Sequence, residues 1–167
     1  MNRYRICLTP LVVSILIISS ATIAFCQPEK TFQTKYADIH YSDDKDLEGF
    51  IWRLGGGPRA EVLSDKALAS SRVDRIVSRV EAILDMWPGS LKLEIYLHRG
   101  LLESGRVAEY VHRDKSIHIS VDNVNDGIFA HEVAHAIINK NFGAMLPSKM
   151  QEILTQYVDK YLWNDYY

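Results

Sequence analysis

Ser116–Asn141 reads S-I-H-I-S-V-D-N-V-N-D-G-I-F-A-H-E-V-A-H-A-I-I-N-K-N, and the period of its apolar residues changes part-way along. Ile117, Ile119 and Val121 alternate with His118 and Ser120, which is the pattern of a half-buried strand over 116–121. From Gly127 onward the pattern is helical to about Asn141, with Asp126 placed to cap the start and Gly143 to stop the end. Ile128, Phe129 and Ala130 precede the central charged and imidazole residues, and Ala136, Ile137 and Ile138 follow them. Uncharged flanks of this kind belong to a helix buried in a core.

Working outward, 106–112 and 116–121 form a predicted hairpin turned at Arg113-Asp114-Lys115. Leu91–Leu97 alternates strictly and reads as another half-buried strand. Ser64 or Asp65 opens a long helix to about Trp87, with Leu68, Val73, Ile76, Val77, Val80, Ile83, Leu84 and Trp87 on one stripe. Before it, Lys35–Tyr41 is a short strand, and Leu47, Phe50, Ile51 and Leu54 share one face of a helix started by Asp43 or Asp44. Residues 27–35 read as polar and loose. Pro147 suits the first turn of a last helix running to about Trp163. Strands grouped beside separate helices predict an α+β domain and not βαβ winding.

The chain has 167 residues, 47% of them hydrophobic and 24% charged, enough for one domain with a real core. Its net charge of -2 offers no basic surplus, so nucleic acid is not an expected partner. Cys7 and Cys26 are too few for a disulfide-stapled fold. Residues 1–26 read as a secretory signal peptide: Arg3 and Arg5, then an apolar run from Ile6 to about Ile18, then small residues up to Cys26. The expectation is an exported chain, secreted or periplasmic, whose domain covers 27–167. Membrane contact is expected only if this segment stays uncleaved or if Cys26 is lipidated. Phe25 argues against lipidation, since a small residue usually precedes such a Cys.

The chemistry lies at His131-Glu132-Val133-Ala134-His135. Residues four apart on a helix share a face, so His131 and His135 can present two imidazoles to one metal ion. Neutral imidazole suits zinc. Glu132, beside the first ligand, is placed to take a proton from water at the metal. With six His in this composition, H-E-x-x-H arises by chance in roughly one percent of shuffles. The competing reading is two core histidines satisfied by hydrogen bonds, with Glu132 at the surface. A catalytic zinc usually has a third protein ligand and one open position. The downstream acids are Glu152, Asp159 and Asp165. Glu152 follows a turn at Asn141-Phe142-Gly143, the distance at which a helical hairpin returns over its first helix; a solvated helix face is its alternative role.

His131–His135 and the later Met150-Gln151-Glu152-Ile153-Leu154-Thr155-Gln156-Tyr157-Val158 together resemble the gluzincin zinc metallopeptidases. The similarity is to compact peptidase-MA-like domains and the single-domain minigluzincins. It covers 91–163 with motifs and 36–87 by element order alone. The resemblance implies a zincin-like fold: a small mixed sheet with an edge strand, a backing helix, the HExxH helix and a glutamate-bearing C-terminal helix. It implies one zinc per chain held by His131, His135 and Glu152, with Glu132 as general base. The sequence departs from related groups. No His follows His135, which excludes the metzincin pattern; the aminopeptidase G-x-M-E-N is missing; Ile153, Leu154 and Thr155 stand where E-G-x-A is common.

These residues lead to an expected zinc peptidase acting on peptide or protein substrates, with strand 116–121 pairing with the substrate. Tyr157, Gln156 and Asp159 are candidates to support the site, and His118 is a candidate to line its cleft. No residue stands out as the group that would stabilise the oxyanion. The alternative is a catalytically silent zinc-binding interaction domain. A cell-wall hydrolase is disfavoured, because its usual His-x-His motifs are missing.

Overall fold

The computed structural model describes residues 30–55, 65–143 and 146–164. The signal-peptide reading, the triple glycine of 55–57 beyond its first residue, and Asp165 lie outside them. Five strands and four helices occur among the described residues: β1 Lys30–Gln33, β2 Ala37–Tyr41, α1 Asp44–Arg53, α2 Lys66–Leu84, β3 Leu93–His98, β4 Ala108–Val111, β5 Ser116–Ser120, α3 Asp126–Phe142 and α4 Ser148–Tyr161. The domain is α+β, with one mixed sheet in the order β1-β2-β3-β5-β4. The inner strands β2, β3 and β5 are parallel; β1 and β4 join the two edges antiparallel.

The pleat explains which face is covered. Ile39, Ile95 and Ile117 are register partners, as are Leu97 and Ile119, and all are buried. They form the face on which α1 and α3 pack, with α2 and α4 behind α3. The opposite face carries Asp38, His40, Glu94, Tyr96, His118 and Glu109, an alternation that follows from the two-residue period of a strand. Helix α3 is therefore enclosed. Phe129, Ala130, Val133, Ala134, Ile137 and Ile138 are buried, and the Phe129 ring meets Phe50 of α1 edge-on at 5.6 Å.

Several expectations are corrected. Residues 30–33, read as loose, form β1, whose polar side chains suit an edge. Strand 116–121 is not an edge: β5 is paired on both sides, and β4 is the edge beyond it. The route from β2 through α1 and α2 to β3 is a helical crossover between parallel strands, so one such unit exists despite the expectation against βαβ winding. Asn125 rather than Asp126 caps α3, its side chain accepting from the Ile128 N–H at 3.0 Å. Helix α2 ends at Leu84, where Asp85 turns left-handed, and Trp87 lies outside the core at 62% exposed. Pro147 precedes α4 as its cap.

Gly143 has φ 59° at the α3 C-cap, a left-handed value that glycine adopts without a Cβ clash, and its N–H bonds the Asn139 carbonyl. The chain then turns back into α4, which docks on α3 and α2 through Gln151, Thr155, Val158 and Leu162. Ile153 and Tyr157, the apolar residues on its other side, face outward at 52% and 42% exposed. Arg79 of α2 fixes the end of α4, donating from Nε to the Leu162 carbonyl (3.1 Å) and from Nη2 to that of Asn164 (2.8 Å).

Candidate metal centre

His131 and His135 stand one turn apart on α3, and the α3–α4 hairpin returns Glu152 over them. His135 Nε2 lies 3.5 Å from Glu152 Oε1, and His131 Nε2 lies 3.8 Å from Glu152 Oε2. One donor atom from each of the three falls within 4.8 Å of the others, so the group could hold a metal ion. The spacing suits a small tetrahedral ion. Ligands bound at about 2.0–2.1 Å in tetrahedral geometry stand about 3.3 Å apart, and two imidazoles sharing such an ion place their ring centres roughly 5 Å apart. The His131 and His135 rings are 5.0 Å apart.

The surroundings prepare these donors. His131 Nδ1 meets Asp159 Oδ2 at 3.0 Å, about two turns beyond Glu152 on the same side of α4, which leaves the Nε2 lone pair for a metal ion. Burial, and then the neighbouring His131, hold the His135 pKa below its usual value, favouring the neutral ring that metal binding needs. His135 Nδ1 is buried without a partner of hydrogen-bond geometry, although the Gln151 amide is close enough to act on the ring. The Gln151 Nε2 is committed to the Leu146 carbonyl at 2.9 Å.

Glu132 is not one of the converging donors. Its Oε2 accepts the Tyr110 N–H at 2.7 Å, a bond that ties α3 to the free edge of β4. Burial pushes its pKa above the ordinary range, more strongly than the Tyr110 N–H, His131 and Arg106 pull it down. The result is a more basic carboxylate than one in water.

These groups line a cleft of ≈ 510 Å³ with Arg106, Ala108, Glu109, Tyr110 and His112. A cavity of ≈ 560 Å³ beside Arg53, Arg75, Asp126 and Trp163 is larger, but it has no His donors. We place the chemistry in the smaller cleft for that reason. Of the other candidates, His118 lies on the opposite face of the sheet, stacked on Tyr96 at 5.1 Å and bonded to His98 at 2.9 Å. It lines a separate cavity of ≈ 500 Å³. Gln156 is exposed and Tyr157 pairs with the Tyr161 ring; neither lines the cleft. Sequence reasoning missed His112, Arg106 and Tyr110. Their link to the site is the edge position of β4, which strand alternation does not reveal.

No family model matches the chain, and no curated protein or solved structure is similar to it.

Proposed function

We propose that the protein is a zinc-dependent peptidase of gluzincin type with a zincin-like fold, exported when its N-terminal segment is cleaved. The reading is carried by one observation: His131, His135 and Glu152 converge on one point while Glu132, desolvated and outside the donor set, sits beside it. Two imidazoles and a carboxylate are the donor types of catalytic zinc sites that keep one position open. Zinc there would supply Lewis acidity to a carbonyl and to water.

The chain's own residues would do the rest. Glu132 would take the proton of the attacking water and return it to the departing amine. Asp159 would hold the His131 ring in one tautomer. The free edge of β4 would position an extended peptide. By the alternation of antiparallel pairing, the Ala108 N–H and C=O and the Tyr110 C=O point away from β5, toward the cleft, while the Tyr110 N–H is already given to Glu132.

The test is zinc content and proteolysis of unfolded casein by the purified protein and by Glu132→Gln. One zinc per chain, cleavage by the wild type and none by the variant support the reading. Zinc without any cleavage points to the silent binding domain instead.

A further inference from the structure

Water adding to a peptide carbonyl pushes the carbonyl π electron pair onto oxygen, and that charge needs a donor. The new C–O bond forms on the Glu132 side, where the proton is taken. The carbonyl oxygen must therefore lie away from Glu132. Among the described residues that line the cleft, Tyr110 is not a candidate. Its hydroxyl is held beside Asn139 Nδ2 at 2.8 Å, one α3 turn beyond His135, and its N–H is given to Glu132. The side chains that still carry N–H donors are Arg106 and His112. They sit about 20 Å apart along the chain at strand rise, at opposite ends of β4. Arg106 lines the same cleft and lies near enough to Glu132 to act on its carboxylate, the group that takes the proton.

His112 follows the alternation of Ala108 and Tyr110 toward α3, and its ring packs against Tyr110 at 4.9 Å. The His112 and His135 ring centres are 6.3 Å apart, against 5.0 Å for His131 and His135. That is too far for shared ligation and near enough for a group bound against His131, His135 and Glu152 to meet the His112 ring. His112 is exposed, so it can meet a substrate.

We propose that His112 is the oxyanion donor of this cleft, supplied by the edge strand and not by a residue downstream of the glutamate helix. Its N–H is donated and not transferred: the proton taken by Glu132 goes to the amine as the C–N bond breaks, and His112 ends the cycle as it began. This rests on the peptidase reading above.

The experiment uses the full zinc-loaded chain, with His112→Ala and His112→Gln, and three readouts: zinc per chain, kcat and KM on fluorescent casein, and calorimetric Kd for a phosphinic pseudotripeptide of alanines. The phosphinate copies the tetrahedral carbon and its charged oxygen. Expected for His112→Ala is unchanged zinc, kcat lower by about 100- to 1,000-fold, little change in KM, and a weaker phosphinate Kd. His112→Gln, which keeps an N–H, should recover part of both losses. Full kcat in His112→Ala, or loss of zinc with activity, overturns the proposal while leaving the peptidase reading intact. A wild type that binds zinc and cleaves nothing defeats the peptidase reading itself, and the proposal with it.

Discussion

Glu132→Gln separates three consequences of one buried carboxylate. The amide keeps the volume and an acceptor oxygen for the Tyr110 N–H, and removes only the charge. Loss of a general base typically slows turnover about 100- to 10,000-fold, which is about 2.7–5.5 kcal/mol of barrier. Zinc should stay at one per chain, because Glu132 is outside the converging donors. The metal-free fold should become more stable, and the sign depends on pH. Burial raises the folded pKa of Glu132 above its unfolded value. The folded state then holds the proton more tightly. That stabilisation is fully present below the unfolded value and is lost as pH rises through the folded one. At pH 8 the wild type carries a desolvated charge that the variant lacks; at pH 4 it does not. A gain of about 0.5–2 kcal/mol at pH 8 would raise Tm by roughly 2–4 °C per kcal/mol in a domain of this size. Thermal melts of both metal-free proteins at pH 4 and pH 8 measure this. Equal Tm differences at the two pH values would refute the burial reasoning, and loss of zinc would show that Glu132 is a ligand.

Asp159→Asn should weaken zinc binding about 10- to 100-fold, because it removes the carboxylate that orients His131; competition with a chromophoric chelator reads it, and an unchanged affinity counts against that role. Acidification should destabilise the metal-free wild type through His135. Its folded pKa is lowered, so stability present above the ordinary value of 6.5 is lost as pH falls through it toward the folded value, and His135→Ala should flatten the Tm decline between pH 7 and pH 5. Val158→Ala, at a fully buried position of α4, should cost about 2 kcal/mol and loosen zinc binding with it, because Glu152 rides on that helix. A chelator should lower the Tm of the zinc-loaded wild type, and should not do so in His135→Ala.

The helical half of the site was legible because its signals are local. H-E-x-x-H fixes two imidazoles on one face by spacing alone, and Gly143 with Pro147 marks the turn that returns Glu152. The face of α4 was read less well. Ile153 and Tyr157 are apolar enough to suggest docking, yet the buried positions include the polar Gln151 and Thr155 on the side that meets α3 and α2. Which side of a helix meets its neighbours is a tertiary property that the composition of a single helix does not carry. The limit of α2 is similar: Trp87 continues the apolar period, but Asp85 takes a left-handed conformation and ends the helix first.

Hairpin order hid the other half. Both arms of the 106–121 hairpin alternate, and alternation says which residues face the core without saying which arm lies outside. The parallel pairing of β5 with β3 settles it, through Ile95↔Ile117 and Leu97↔Ile119, and leaves β4 at the edge. The consequence is chemical. His118, out of phase with Ile117 and Ile119, lies on the far face of the sheet, and with β5 beside β3 it meets Tyr96 and His98 there. With β4 outside, Tyr110 offers its N–H to Glu132, and His112, two residues on, faces His135 of α3. His112 thus reaches the cleft because it lies on the edge arm and in phase with Ala108 and Tyr110. Residue type and spacing alone could pair His131 and His135 on one face of α3, but the group facing them is decided by long-range strand pairing.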